Sequence, residues 1–581
     1  MVAIDAGSGP RIARPVAGAA PVPRPVAPPV ARPRRGEGDR TRVRVGLTMA
    51  AFGAVFLAII GRLVQLGLEE APAPSYVANA QDAILASRPD ILDRNGEILA
   101  TDIRIASLYA EPRRIVNVEE AMDAIAAVFP DLATPEMRER LSSDAGFIWI
   151  RREITPQQQE AVHRFGIPGF GFLTETQRFY PVGREVGHVV GMVNIDNEGL
   201  AGIESNIDQS WLASLHALGF ARGEALEPVS LSLDLRVQHV MYDELTQAMA
   251  RYQAIAAAGV VLNVNTGEVV AAVSLPDFDP NHPEDATVDN AFRVLSGTYE
   301  MGSVFKSFTI ASALDSGRVS INDFFDAIHP LYVGNKAISD FHGQNRVLSV
   351  PEVFIYSSNI GTARIAVQMG MDTQMAYLDR FGLTSRLHTE IAAARPQVPA
   401  HPTQGDLMTM AFGHSIAVTP LQLVAAEAAL MNGGWLMTPT FYPRSEEDAL
   451  AGATQVVSAQ TSAIMRQMTR LNVEDQRGSG NLAEVPGYLV GGKTGTAEKV
   501  VNGAYSSSVR LNSFLAAFPI DDPQYVVLVM LDEPKPERPG IGATAGLNTA
   551  PTAGAVIQRI APMLGILPRF GIPDDYSLIP E

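Results

Sequence analysis

Ser303 and Lys306 have the residue types and the spacing of a serine nucleophile with its own base. The apolar residues that follow, as far as Leu314, predict a helix, and residues three apart on a helix lie on one face. A serine hydroxyl needs a nearby base, and a lysine can serve only as the neutral amine. Lowering a lysine pKa to near 7 costs about 4–5 kcal/mol, which burial and a second cation can supply. Without such surroundings, the same pattern describes a helix cap beside a solvated lysine.

Two further segments carry polar side chains that suit the same chemistry. One is Ser357-Ser358-Asn359, and the other is Lys493-Thr494-Gly495-Thr496, on a predicted strand whose glycine allows close backbone approach. Taken alone, the first is typical of a turn and the second of a lysine on an edge strand. The chain has only five lysines, however, among its 45 basic residues. Two of the five, Lys306 and Lys493, fall in these segments, which favours a role that arginine cannot fill.

Two rival motifs fail on their context. Residues 487–494 fit the phosphate-binding P-loop pattern, but no apolar strand precedes them and a predicted turn, not a helix, follows. Residues 413–417 nearly match the nucleophile elbow of hydrolases but lack its second glycine. The ten histidines form no metal-binding motif and the chain has no cysteine, so we predict neither a metal nor another cofactor.

The elements around the three segments predict an α/β (α+β) domain. A β-hairpin is expected from about residue 259, with its turn at Asn265-Thr266-Gly267. Further strands are predicted at 487–496, 512–518 and 525–531, and helices at 235–249, through much of 300–470 and at 549–564. A sheet built from an early hairpin and a late meander, with helices between, is a two-layer or three-layer arrangement.

The residues before this domain predict a second module without catalytic side chains. Asn95-Gly96 lies between two apolar arms and indicates a hairpin. Helical periodicity follows at 119–128 and 156–165. Neither segment brings together a nucleophile, a base or metal ligands.

The amino-terminal end predicts a membrane anchor. The chain has 581 residues and a net charge of −18, yet residues 1–44 contain nine arginines against three acidic residues, among many prolines. This composition predicts a disordered tail, and the apolar run 45–66 is long enough for a transmembrane helix. The arginines place the tail in the cytoplasm. The alternatives are a cleaved signal peptide and a buried core helix. The acidic remainder argues against nucleic-acid binding.

The three catalytic segments, in this order, resemble the class B penicillin-binding proteins, and the resemblance extends over nearly everything from residue 45 onward. It is carried outside the catalytic segments by 93–96, 178–181, 188–191, 199–204, 264–268, 278–281 and 416–422. The chain departs from the family at Pro89, where glycine is usual, and at Ser307, where proline often follows the catalytic lysine.

The resemblance implies five parts of the chain. They are a disordered cytoplasmic tail at 1–44, a transmembrane helix at 45–66, an elongated non-catalytic pedestal at 67–225, a transpeptidase domain with a central antiparallel sheet flanked by helices at 226–566, and a tail at 567–581.

The resemblance also implies the roles of the candidate residues. Ser303 attacks the penultimate carbonyl of a peptidoglycan stem peptide ending in D-Ala-D-Ala, with Lys306 as base, and β-lactams acylate the same serine. Ser357 and Lys493 relay the proton, and Asn359 holds the substrate amide. Thr494 and Thr496, on either side of Gly495, receive the terminal carboxylate. The backbone N–H groups of Ser303 and Thr496 form the oxyanion hole.

The cellular role that the resemblance implies is septal cross-linking in the inner membrane, with the catalytic domain in the periplasm. Divisome membrane proteins, including a glycosyltransferase of the FtsW type, are the expected partners. The alternatives are an elongation-specific transpeptidase and a non-catalytic penicillin-binding sensor or scaffold. A bifunctional glycosyltransferase–transpeptidase is disfavoured because only about 160 residues separate the anchor from the transpeptidase domain.

Overall fold

The computed structural model describes residues 88–212, 226–501 and 503–571, besides the isolated positions Met49, Gly53 and Phe56. The predicted tail at 1–44 and nearly all of the predicted transmembrane helix at 45–66 lie outside these residues. Among the residues that are described, no helix combines the length and the apolar character needed to cross a bilayer. The described residues from Arg88 onward belong to one compact unit.

The amino-terminal region, 88–212, contains a main sheet that is antiparallel except where Val229–Ser230 pairs in parallel with Ile91–Leu92, and a separate strand pair at 192–193 and 199–201. Its strands are β1 (Ile91–Leu92), β2 (Ile98–Ala110), β3 (Ile148–Ile154), β4 (Phe170–Phe179), β5 (Met192–Val193) and β6 (Gly199–Ala201). Its helices are α1 (Val118–Val128), α2 (Pro135–Leu141), α3 (Pro156–Phe165), α4 (Gly187–Val190) and α5 (Gly202–Ile207). The long strand β2 pairs with β1, β3 and β4, all antiparallel. The predicted hairpin at Asn95-Gly96 and the predicted helices α1 and α3 are confirmed.

Buried charges hold this region together. Glu204 is fully buried, and its two carboxylate oxygens accept from the guanidinium groups of Arg88, at 2.8 Å, and Arg178, at 2.6 Å. Arg178 also pairs with Asp102 at 3.0 Å. Removing one partner from such a buried network leaves an uncompensated charge, which typically lowers the free energy of unfolding by about 3–5 kcal/mol. The Pro89 departure leaves this network intact, since the Pro89 carbonyl accepts from Arg178 at 2.8 Å.

The carboxyl-terminal region, 226–571, contains the second sheet and most of the helices. Its strands are β7 (Val229–Ser230), β8 (Ala256–Asn263), β9 (Val269–Leu275), β10 (Phe324–Asp326), β11 (Leu331–Val333), β12 (Lys336–Ile338), β13 (Val347–Ser349), β14 (Trp435–Leu436), β15 (Thr454–Gln455), β16 (Gly491–Val501), β17 (Ala504–Phe518) and β18 (Tyr525–Asp532). Its helices are α6 (Leu235–Tyr252), α7 (Arg293–Ser296), α8 (Lys306–Asp315), α9 (Val350–Ile355), α10 (Asn359–Met369), α11 (Met371–Arg380), α12 (Gln404–Met410), α13 (Pro420–Met431), α14 (Glu446–Ala451), α15 (Ala459–Glu474) and α16 (Thr549–Met563).

The large sheet has the strand order β16-β17-β18-β8-β9, with every pair antiparallel. Helices α6 and α16 cover one face, and the helices between β9 and β16 cover the other. The central strands are therefore buried on both faces and read as continuous apolar runs rather than alternating ones. The predicted sheet, made from an early hairpin and a late meander and flanked by helices, is confirmed.

The second face of the sheet positions the chemistry. Helix α13 is buried along its whole length, with a capping box made by Thr419 and Gln422 at its start. Helices α8, α9, α10 and α15 pack around one another beside the edge strand β16. All three predicted catalytic segments therefore lie at the boundary between this helical layer and β16.

Candidate active site

Ser303 lies in a tight turn between the sheet and helix α8. The turn is a 3₁₀ segment, Gly302–Phe305, and α8 begins at Lys306. Ser303 is partly exposed, whereas its neighbours Gly302 and Val304 are buried. Side chains three apart are eclipsed in 3₁₀ geometry, so Ser303 and Lys306 project in the same direction.

Glycines allow three segments to meet at this turn. Gly302 has a φ of +58°, and a Cβ added there would lie 2.9 Å from the carbonyl oxygen of Thr496. A Cβ on Gly413 would lie 2.1 Å from the carbonyl oxygen of Gly302. A Cβ on Gly495 would lie 2.4 Å from the carbonyl oxygen of Met301. A side chain at Gly302 or Gly495 would push β16 away from the turn that carries Ser303, and one at Gly413 would push its own segment away from that turn.

The Lys306 side chain is fully buried and reaches the Ser357-Ser358-Asn359 segment. Its Nζ donates to the Ser357 carbonyl oxygen at 2.5 Å, to Asn359 Oδ1 at 2.8 Å and to Ser357 Oγ at 3.1 Å. Burial holds the pKa of Lys306 well below its ordinary value, and the charge of Lys493 lowers it further, while Asp340 opposes both. These are the two causes that the sequence argument required for a neutral lysine.

Ser357 and Asn359 occupy the junction between α9 and α10. Ser357 has a φ of +54°, a left-handed conformation that is uncommon outside glycine, and α10 begins at Asn359. Asp340 holds this junction from a neighbouring loop. Its Oδ1 accepts from the backbone N–H of Asn359, at 2.6 Å, and of Ile360, at 3.0 Å, and its Oδ2 accepts from Ser358 Oγ at 2.7 Å.

The Lys493 side chain projects from β16 and converges on the same serine. It is fully buried, and its Nζ donates to Ser357 Oγ at 3.0 Å and to Ser479 Oγ at 3.4 Å. Burial lowers the pKa of Lys493 to about 7. The hydroxyl of Ser357 therefore lies between two buried amines, which favours at least one of them being neutral near pH 7.

Thr494 and Thr496 lie farther along the same strand. Thr494 Oγ1 donates to Ser479 Oγ at 2.6 Å. Thr496 Oγ1 accepts from the backbone N–H of Ala545 at 3.2 Å, which leaves its own hydroxyl proton for another acceptor. The backbone of Thr496 faces the turn at Gly302, beside Ser303. A reacting carbonyl at Ser303 would have polar groups from the turn, from the α9–α10 junction and from β16 around it.

Comparison with known proteins shows the family to which the chain belongs. Residues 257–558 match the penicillin-binding protein transpeptidase domain, and residues 83–210 match the penicillin-binding protein dimerisation domain. The chain belongs to the class B penicillin-binding proteins. It is an enzyme of the transpeptidase type.

Relatives and a solved structure agree with this assignment. The chain is 36% identical over 541 residues to a protein of Caulobacter vibrioides named probable peptidoglycan D,D-transpeptidase FtsI, covering 91% of this chain and 90% of the relative. It is 25% identical to the peptidoglycan D,D-transpeptidase FtsI of Escherichia coli, covering 89% and 91%. The apo transpeptidase domain of penicillin-binding protein 3 from Burkholderia pseudomallei is similar with a TM-score of 0.53 and 29% identity, covering 59% of this chain and 98% of that domain.

Two residues of this penicillin-binding protein were missed by the sequence argument. Ser479 joins Lys493 to Thr494, and Asp340 fixes the backbone that carries Ser357 and Asn359. The only signal for Ser479 is its place between two glycines, Gly478 and Gly480. No sequence pattern pointed to Asp340, because an aspartate in a loop is ordinary. Its partners lie about 20 residues later in the chain, after β13 and α9.

Proposed function

We propose that this transpeptidase cross-links peptidoglycan stem peptides at the division septum through an acyl-enzyme on Ser303, and that β-lactams acylate the same serine. The observation that carries the proposal is the convergence of two fully buried lysines on Ser357, beside the turn that carries Ser303. Such an arrangement lowers the lysine pKa values without a metal or a histidine. A lysine that is neutral near pH 7 is the base that a serine nucleophile needs.

Acylation begins with Ser303 Oγ, which attacks the carbonyl carbon of the penultimate D-Ala of the donor stem. Neutral Lys306 accepts the hydroxyl proton, and the serine oxygen forms a bond to that carbon. The carbon–nitrogen bond to the terminal D-Ala then breaks, and the proton returns to the departing nitrogen by way of Ser357 and Lys493. The products of this step are an ester on Ser303 and free D-Ala.

In the second step the acyl group is transferred from Ser303 to the amine of a neighbouring stem, and the protons move in the direction opposite to that of acylation. The side-chain amine of a neighbouring stem attacks the ester carbon, and its proton passes to the Ser303 oxygen as the ester bond breaks. An amide replaces an amide, so the cross-link forms without nucleotide hydrolysis. Asn359 holds the donor amide, and the backbone N–H groups of Ser303 and Thr496 stabilise the oxyanion, each being worth about 3–4 kcal/mol.

The hydroxyl groups of Thr494 and Thr496 receive the terminal carboxylate of the donor. The hydroxyl of Thr496 accepts the Ala545 N–H, so its proton can point to the substrate. The Nζ of Lys493 reaches the same Ser479 hydroxyl as Thr494 Oγ1, so it adds positive charge near these threonines whenever it is protonated. The glycine between the two threonines, Gly495, keeps the strand close to Ser303.

The proposed location is the inner membrane, with residues 45–66 as the single span, the arginine-rich tail in the cytoplasm and the transpeptidase domain in the periplasm. The charge asymmetry of the sequence supports this orientation. Both relatives described above are named FtsI, which supports the septal role and divisome partners that include a glycosyltransferase of the FtsW type.

The test of the chemistry compares two serine variants of the full chain. Ser303→Ala should abolish covalent labelling by a fluorescent penicillin and cross-linking of glycan strands made from lipid-linked precursor. Ser307→Ala is the matched control, since Ser307 Oγ is buried without a hydrogen-bond partner among the described residues. It should retain both activities. Labelling of Ser303→Ala at another residue would overturn the assignment, and labelling of the wild type without cross-linking would favour a sensor.

A separate test addresses the location. A fluorescent fusion to the amino terminus should accumulate at the division site, and a uniform distribution along the side wall would instead support an elongation role. A reporter that is active only in the periplasm should work when it is fused after Glu581 and fail when it is fused before Val45.

A further inference from the structure

A cavity of about 210 Å³ lies away from the catalytic lysines, between the end of α6 and the segment that joins β18 to α16. Three large apolar side chains line it although they are solvent-exposed: Leu482, Ile541 and Leu547 are 51%, 43% and 39% exposed. Tyr252 and Pro551 extend the apolar wall. The volume suits a ligand of roughly a dozen heavy atoms, about the size of one aromatic amino acid.

The charges at this cavity favour an anion. Arg251 and Glu537 neutralise each other in a salt bridge of 3.0 Å. The third charge is Lys535, whose backbone N–H donates to the carbonyl oxygen of Tyr252 at 2.6 Å and fixes this residue at the rim. Among the described residues, the Lys535 ammonium has neither an ion pair nor a hydrogen bond. The cavity therefore offers one uncompensated positive charge beside apolar walls.

The walls of the cavity are connected to the catalytic strand. Leu547 belongs to a short segment whose opposite side touches the active site: the Ala545 N–H donates to Thr496 Oγ1, and a Cβ on Gly546 would lie 2.7 Å from the carbonyl oxygen of Ser479. The other wall, Leu482, follows Ser479 by three residues. A ligand that separates Leu482 from Leu547 would displace Ser479, which bonds to both Lys493 and Thr494.

We propose that this cavity is an effector site for an apolar monocarboxylate. The carboxylate pairs with Lys535, the apolar body fills the space between Leu482 and Leu547, and occupancy slows acylation by moving Ser479 and the backbone beside Thr496. The inference rests on the proposed function only for its readout, which is acylation of Ser303. Coupling between two such sites typically changes the affinity at one of them by about fivefold or more, and we expect a change of that size in the acylation rate.

The first experiment uses 4-phenylbutyrate as the probe with the full chain in detergent. Calorimetry should show saturable binding that is about tenfold weaker for the neutral analogue 4-phenylbutan-1-ol and for Lys535→Met, while Lys535→Arg retains it. Acylation by a fluorescent penicillin should slow about fivefold at saturation in the wild type but not in Lys535→Met. Absent binding, or equal binding by Lys535→Met, overturns the site. Binding with an unchanged acylation rate overturns the coupling.

A second experiment fills the cavity covalently and does not depend on the affinity of any probe. Because the chain has no cysteine, Leu482→Cys can be labelled uniquely with a benzyl thiosulfonate. Val116→Cys, which is 87% exposed and belongs to the amino-terminal region, is the control. Labelled Leu482→Cys should acylate about fivefold more slowly than before labelling, while the control is unchanged. Equal rates for both refute the proposal. If the unlabelled variants are still acylated by penicillin, Ser303 is functional in them. A failed test of the cavity would then leave the proposed nucleophile standing.

Discussion

Glu427 should make the stability of this protein fall as the pH rises. It lies on α13, which is buried along its whole length, and its Oε2 has no hydrogen-bond partner among the described residues. Burial alone raises the pKa of this carboxyl from 4.5 to about 8. The folded protein therefore holds a proton at neutral pH that the unfolded chain would release.

The sign and the size follow from linkage. A group whose pKa is raised by folding contributes stability that is complete below its unfolded pKa, near 4.5, and that is lost as the pH rises through its folded pKa, near 8. The free energy of unfolding should fall by about 1.4 kcal/mol for each pH unit in this window, or about 5 kcal/mol in all. Because the group is fully buried, solvent screening does not reduce this figure greatly.

Urea unfolding, followed by tryptophan fluorescence at several pH values between 5 and 9, measures the effect. Glu427→Gln has the same shape but cannot titrate, so the difference between the variant and the wild type isolates the contribution of this carboxyl. The amide itself changes the free energy of unfolding by an amount that does not depend on pH, so the test uses only the pH dependence of the difference. The free energy of unfolding of the variant, relative to that of the wild type, should rise by several kcal/mol between pH 5 and 8. A difference that stays constant would show that Glu427 is ionised in the folded protein or finds a partner there.

Three further predictions concern the active site. Lys306→Arg should lose acylation almost as completely as Ser303→Ala, because arginine cannot become neutral near pH 7, whereas Lys493→Arg should retain a measurable rate; equal and mild losses would mean that Lys306 acts only as a charge. Asp340→Ala removes three hydrogen bonds that the carboxylate accepts at the α9–α10 junction, and it should slow acylation by about tenfold while the Tm falls by a few degrees. An unchanged acylation rate would refute the positioning role of Asp340. Gly495→Ala places a Cβ 2.4 Å from the Met301 carbonyl oxygen and should abolish penicillin labelling, whereas normal labelling of this variant would show that β16 can shift without harm.

The order of the three segments and the scarcity of lysine were enough to predict that they form one site, and the resemblance to the family supplied the expected roles of their residues. These features can be recognised without the fold, since they depend on residue types, on short spacings within each segment and on the order of the segments. The sheet could be predicted for the same reason: β8, β9 and β18 are apolar runs bounded by turn residues, and α6 and α16 show a helical period. Strand ends were less certain, because β16 continues past Thr496 to Val501 through pairing with β17 that only the folded hairpin provides.

The tertiary structure decided the electrostatics. Burial lowers the pKa of both Lys306 and Lys493, and the charge of Lys493 lowers that of Lys306 further. Neither effect can be calculated from spacing along the chain. Ser479 and Asp340 enter the site through contacts with distant segments, so no local pattern identified them. The raised pKa of Glu427 likewise follows from its place in the core. Sequence alone determined which residues could react, because reactivity begins with residue type. Folding decided which of them are buried together, because desolvation and contact exist only in three dimensions.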